Sequence, residues 1–283
     1  MSGAGRIGEE APARQIVVPL RHPWTWLASA VVVLIAGLVL YSVATNPAFE
    51  WPVVARYMLD QQILIGLSRT LELTLVAMAI GLVIGTLLAM MRLSSNRLLS
   101  TLSWLYIWFF RSVPVLVQLI FWYNFGALYA TISIGIPFGP TLYSASTNAM
   151  ITPLFAALAG LGLAQAAYTA EVIRGGIASV PHGQARAARA LGMRPMLIFR
   201  RIVFPQAMRV IIPPVGNEVI SMVKNTSLVS VIALAELLYT AQLIYARTYE
   251  TIPLLIVASL WYLIIVSLLS AGQHVLERKY RQR

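Results

Sequence analysis

From Ser112 to Ala170 the chain carries no charged side chain. Water-facing surfaces need ionised groups, and about a quarter of the residues in an ordinary soluble domain are charged. Here 11% are charged and 59% hydrophobic, with a mean hydropathy of +0.77. The chain therefore reads as an all-α, polytopic membrane helix bundle. Its net charge of +11 does not point to nucleic acid, because no basic stripe carries the interleaved aromatics of a binding groove. With no cysteine there is neither a disulfide nor a thiolate metal site, and His22, His182 and His274 are scattered. No metal or other cofactor is expected. The polar start MSGAGRIGEEAPARQ has no signal-peptide pattern, so none is expected.

A helical span needs about 20 apolar residues, since a rise of about 1.5 Å per residue must cross about 30 Å of hydrocarbon. The first span starts in the charge-free run 24–41, opened by the interfacial aromatics Trp24 and Trp26. The second covers 73–91. The interval 112–170 is too long for one span, and GIPFGP (135–140) supplies a turn, so two spans flank a loop near 126–148. Two more fall near 205–223 and 252–273, for six in all. Six spans put both termini on one side. With that side as cytoplasm, every basic residue except Arg56, Arg69, Lys224 and Arg247 lies inside, which fits the positive-inside rule. The segment 226–245 is placed at the outer face, packed on the bundle, with Glu236 and Gln242 reaching water. The chain divides into a tail, first span and external link NPAFEWP (1–62), a transmembrane domain (63–273) and a basic cytoplasmic tail (274–283).

Between apolar stretches lies a segment, 174–206, with six arginines and no acidic residue after Arg174. Pro181 suits a first helical turn, where amide protons lack partners anyway, and Gly192 suits a left-handed C-terminal cap. Between them, Gly183, Gln184, Ala185, Arg186, Ala187, Ala188, Arg189, Ala190 and Leu191 form a short helix. Its alanines offer a surface with little side-chain bulk, open to close approach by another protein. Pro195 can start a further helix whose arginines lie at lipid headgroups.

These residues resemble the cytoplasmic Glu-Ala-Ala loop of ABC importer permeases, in the polar amino acid (histidine/glutamine/arginine-type) branch. The resemblance covers about residues 63–273. Gly66-Leu67 with Thr70-Leu71 matches the opening motif, and Phe110–Pro114 looks like Phe-Arg-Gly-Thr-Pro. Tyr168–Gly176 resembles Tyr-x-Ala-Glu-x-x-Arg-Gly-Gly, residues 183–192 fit the loop, and Lys224–Leu228 fits Lys-Asp-Thr-Ser-Leu. Three positions depart: Arg186 replaces the loop glutamate, Asn225 the aspartate, and Ser112 a glycine. The resemblance implies a permease subunit of the bacterial inner membrane that pairs with a second, identical or paralogous, permease. A separate ATPase dimer would dock at 183–192, and an external binding protein would deliver substrate. The chain has no G-x-x-x-x-G-K-[ST] phosphate loop, so ATP hydrolysis is expected elsewhere. A self-contained secondary transporter or channel is the competing class; it would show paired broken helices in both halves, and only the Pro213-Pro214 helix is of that kind.

Within the spans, polar residues mark the path. Glu218 is an intramembrane carboxylate, either a pathway residue or a polar partner for a neighbouring helix. Asn217, Ser221 and Lys224, spaced i, i+4, i+7, share a helical stripe beside it. Pro213-Pro214 and Gly216 should kink that helix. Gln165, Tyr168 and Thr169 share a face of the fourth span, whose small residues permit close packing; Gln118 and Asn124 are candidates in the third. Glu171 and Arg174, three apart, read as a structural pair, as do Arg69 and Glu72. Polar amino acids or opine-like derivatives follow from the resemblance, and a carboxylate in the path leans toward cationic ones.

Overall fold

The computed structural model describes residues 23–136 and 141–281. The N-terminal tail, the 137–140 part of the GIPFGP turn and residues 282–283 lie outside the described residues, and with them part of the charge used to orient the chain. Two units separate after Phe49. The first contains α1 (Pro23–Thr45), 23 residues without charge. Its Ser29 and Thr45 hydroxyls donate to the carbonyls of Thr25 and Tyr41 at 2.8 and 2.7 Å, so these polar groups are satisfied within the helix.

The second unit opens with α2 (Trp51–Met58), α3 (Gln61–Arg92), α4 (Arg97–Ser112) and α5 (Val115–Tyr123). A hairpin of β1 (Thr131–Gly135) and β2 (Thr141–Ser146) follows, then α6 (Thr147–Met150) and α7 (Pro153–Ala178). Next come α8 (His182–Ala190), α9 (Pro195–Ile198), α10 (Phe204–Asn225), α11 (Leu237–Thr248) and α12 (Thr251–Arg281). The hairpin pairs Thr131 with Ser146 antiparallel; it is the one departure from the all-α expectation among the described residues. Capping explains several helix starts. The Asp60, Asn96 and Thr152 side chains accept from the amides of Gln62, Leu98 and Phe155, satisfying donors that the first turn leaves free.

Four helices, α1, α3, α7 and α12, are long and apolar enough to cross a membrane, and two bent pairs bring the number to six. One pair joins 195–232 to α11 at 45°, and the other joins α4 to α5 at 99°. The third span is therefore a bent pair that begins in α4 and not a straight helix from Ser112. α5 has nine residues, or about 14 Å of rise, half of what a crossing requires. α4 supplies the rest with 16 residues, and because α3 and α7 run in the same direction the bent pair carries the chain back between them. Near the start of α4 Ser100 accepts from Arg92 Nη1 at 2.8 Å, its Ser103 hydroxyl donates to the Leu88 carbonyl at 2.7 Å, and at its end Arg111 stands 5.4 Å from the Tyr168 ring. Arg92 and Arg111, toward opposite ends of α4, wall one cavity.

α3 and α7 run in the same direction along a seam of small residues. A methyl group built on Gly81 would stand 2.5 Å from Gln165 Cγ, one on Gly85 2.7 Å from Thr169 Cβ, and one on Gly162 2.8 Å from Ile80 Cγ2. Side chains larger than hydrogen would force the pair apart. α5 and α10 run opposite to α7, with Leu119 against Gly160 and Ile211 against Gly176.

Further expectations change in the second unit. Glu236 does not reach water: it is 0% exposed. It caps α11 by accepting from the Tyr239 amide at 2.9 Å, and it accepts from Tyr262 Oη at 2.8 Å, with Thr70 Oγ1 at 3.2 Å. A carboxylate at the junction of three helices is tolerable because its lone pairs are met. Gln242 is half-buried. Arg69 and Glu72 form no ion pair; both are exposed and face a separate cavity of about 440 Å³. The helical extent of α10, from Phe204 to Asn225 through Pro213 and Pro214, is compatible with the expected kink; Gln273 of α12 donates to the Pro213 carbonyl at 3.3 Å. α2 packs on α12, where Trp261 Nε1 donates to the Met58 carbonyl at 2.9 Å.

Candidate translocation site

α5, α7 and α10 enclose a cavity of about 320 Å³. Gln165 and Tyr168 come from α7, Glu218, Ser221 and Asn225 from α10, and Val115 from α5. Gln165 Nε2 lies 3.3 Å from both Glu218 Oε2 and Thr169 Oγ1. Gly81 makes this possible: with no side chain there, α3 presses against the Gln165 stem and holds its amide toward α10. The Glu218 carboxylate thus meets one neutral donor, and it is half-buried at the wall of a polar chamber. Such a group can take a cationic or hydrogen-bond-donating ligand, since a charge-assisted bond is about twice as strong as a neutral one.

The helical period decides which polar residues of α10 join it. Glu218, Ser221 and Asn225 are spaced i, i+3, i+7 and share one face. Asn217 and Lys224 are exposed and do not line the chamber. Lys224 follows Glu218 by six residues, or about 240° around the axis at 3.6 residues per turn, so it does not offset that charge from within the site. Asn225 was noticed only as a departure from a motif; its spacing of seven from Glu218 was the signal that could have placed it. Val115 had no such signal, because it depends on the bend before α5.

Gln118 and Asn124 also lie elsewhere. Gln118, 4% exposed, donates through Nε2 to the carbonyls of Phe110 and Val113 at 3.1 and 2.9 Å, bracing the bend between α4 and α5. Asn124 ends α5, and its Nδ2 donates to the Ile120 carbonyl at 2.8 Å. Glu171 and Arg174 form the expected pair, with Nη2 2.8 Å from Oε2.

The basic loop folds as α8, ended by a left-handed Gly192 at φ +76°. The Met193 amide donates to the Ala188 carbonyl at 3.1 Å and the Gly192 amide to the Arg189 carbonyl at 3.0 Å, the paired bonds of a Schellman ending. Of the four alanines, Ala188 is buried and Ala185 half-buried, while Ala187 and Ala190 are exposed beside Gly183, Gln184, Arg186 and the 84% exposed Leu191. The smooth outer surface is narrower than the sequence suggests. Gln206 Nε2 donates to Gln184 Oε1 at 2.6 Å, tying α8 to the start of α10. Nothing lies within 4 Å of a methyl built on Gly192, so Gly192→Val costs backbone strain alone, on the order of 1–2 kcal/mol. We expect normal insertion of that variant with reduced recovery of a bound ATPase, read by co-purification; unchanged recovery would remove α8 as the docking element.

A multi-pass helical membrane protein with a polar chamber between its helices is thus defined. The family model described as "Binding-protein-dependent transport system inner membrane component" matches residues 81–282, and the chain belongs to that family. The chain is 42% identical over 266 residues to the arginine transport system permease protein ArgU of Corynebacterium glutamicum, covering 93% of this chain and 82% of that one. It is 41% identical to the nopaline transport system permease protein NocM of Agrobacterium fabrum, covering 74% and 83%. With the histidine/lysine/arginine/ornithine transport system permease protein HisM of Escherichia coli it shares 34%, over 77% and 88%. A crystal structure of an amino acid ABC transporter with histidines aligns at a TM-score of 0.66 with 34% identity, over 77% of this chain and 94% of that one. The resemblance carried by the motifs holds at the level of the family.

Proposed function

We propose that this chain is the permease subunit of an ATP-driven importer of polar amino acids, cationic ones among them, in the bacterial inner membrane. The observation that carries the reading is the chamber lined by Gln165, Tyr168 and Ser221 around one carboxylate, Glu218. The relatives named for arginine, for nopaline and for histidine, lysine, arginine and ornithine support a ligand of this class. In this reading the termini and α8 face the cytoplasm, a second permease completes the path, and a separate ATPase dimer grips α8 across residues 183–192. An external binding protein supplies the substrate. Arg186, where the family pattern has glutamate, would then meet an ATPase surface adapted to a positive charge.

The test is uptake. The chain, co-expressed with its ATPase and binding protein and reconstituted in liposomes, should accumulate radiolabelled arginine only with ATP on the α8 side and binding protein on the other. The chain alone should accumulate none. Uptake by the chain alone, driven by an ion gradient, would establish a secondary transporter instead.

A further inference from the structure

A second chamber lies apart from the translocation site. Arg92, Arg111, Arg174 and Glu171 wall a cavity of about 430 Å³ where α4 packs beside the C-terminal turns of α3 and α7, with Trp104 and Trp108 of α4 beside them. Glu171 is fully engaged: Arg174 gives it three hydrogen bonds of 2.8–3.1 Å, and the two charges offset. Arg92 donates Nη1 to the Ser100 hydroxyl, and Arg111 stands over the Tyr168 ring. Among the described residues neither forms an ion pair. Two guanidinium charges therefore face this cavity uncompensated.

The other half of the site is apolar. The Trp104 and Trp108 rings stack with centroids 6.3 Å apart and planes at 15°, each about half exposed at 49% and 54%. A neighbouring depression of about 270 Å³ shares Arg92 and Trp104 and adds Ser100 and Thr101. Further along α4, Leu102, Leu105 and Phe109 are exposed. Tryptophan collects at membrane interfaces because its ring suits the boundary between headgroups and acyl chains. Basic pockets between transmembrane helices hold anionic headgroups.

We propose that this cleft binds an anionic phospholipid, its phosphate between Arg92 and Arg111 and its acyl chains along the Trp104–Trp108 wall. A soluble anion would use the arginines but leave the stacked indoles and the apolar flank of α4 unmatched, which favours lipid. Bound there, the lipid would pin α4 against the ends of α3 and α7.

The test is lipid binding by the purified full-length chain, titrated with phosphatidylglycerol or phosphatidylcholine and read by native mass spectrometry. We expect preference for phosphatidylglycerol. Arg92→Gln with Arg111→Gln should weaken it about thirtyfold, the effect of two arginines at an anionic surface. Arg92→Lys with Arg111→Lys should keep most of the affinity. Trp104→Ala with Trp108→Ala should weaken lipid binding with both arginines in place. Equal phosphatidylglycerol affinity in a monodisperse glutamine double variant would overturn the proposal. So would an undiminished affinity in the tryptophan double variant, or displacement of the lipid by millimolar inorganic phosphate, which would mark a soluble-anion site.

Discussion

Glu218→Gln is expected to lower uptake of cationic amino acids about tenfold, while assembly with the ATPase and basal ATP turnover stay near wild type. The substitution keeps size and hydrogen-bonding capacity and deletes one charge. Gln165 still finds an acceptor, so the contact across the chamber survives. What is lost is the difference between a charge-assisted and a neutral hydrogen bond, about 1–2 kcal/mol from the ranges for the two kinds. Neutral amino acids should lose less. Uptake of arginine and glutamine, measured beside complex yield, reads both effects. Equal uptake of both substrates by Glu218→Gln and wild type would remove this carboxylate from the path and leave Ser221 and Asn225 as the chamber's polar contacts. If Glu218 is a packing partner instead, the Gln variant is silent and Glu218→Leu impairs assembly.

Glu236→Leu should be worse for the protein itself. It removes the cap on the Tyr239 amide and the carboxylate that accepts from the Tyr262 hydroxyl, in a site with no exposure, while Thr70 keeps the Gly66 carbonyl and the Leu237 amide. Each buried polar group left without a partner costs about 1–3 kcal/mol, so two of them take a large share of the stability of many domains. Little monodisperse protein should be recovered, and what is recovered should melt many degrees lower. Glu236→Gln offers an oxygen to Tyr239 and an amide to Thr70 or Tyr262, whose hydroxyls can rotate to accept, and should fold. A Leu variant with wild-type yield and melting temperature would show that the network contributes little.

The two carboxylates show how far sequence reading reached. Glu218 was legible because it sits in an apolar helical run, and the periodicity of α7 and α10 selected Gln165, Tyr168 and Ser221 beside it. Glu236 misled because its partners are remote: Thr70 precedes it by 166 positions, and Tyr262 follows on another helix. No local pattern distinguishes a carboxylate pointing to water from one buried against distant hydroxyls. Gly66 was legible as a motif but not as a reason; a methyl there would stand 2.7 Å from Thr240 Oγ1, so the glycine lets α11 approach α3 closely enough for Thr70 to meet Glu236. The bend at Ser112–Pro114 escaped for a different cause. Hydropathy reports how much a helix prefers lipid and not its direction, so a straight span and one bent by 99° have the same composition. Gly192, by contrast, was readable outright, since a left-handed ending has a one-residue signature.

The seam between α3 and α7 also has a mechanical meaning. Two rods locked along their length resist bending far better than either alone, and here glycines bring them close enough to act as one doubled beam. Only Ser179, Val180 and Pro181 separate that beam from α8, while the Gln184–Gln206 bond fastens α8 to the foot of α10. The chamber's two polar walls, Gln165 on the doubled beam and Glu218 on α10, thus lead down to the same short helix. In the proposed importer, a push on α8 would reach Gln165 and Glu218 along both walls at once, more than ten residues up the helices from α8.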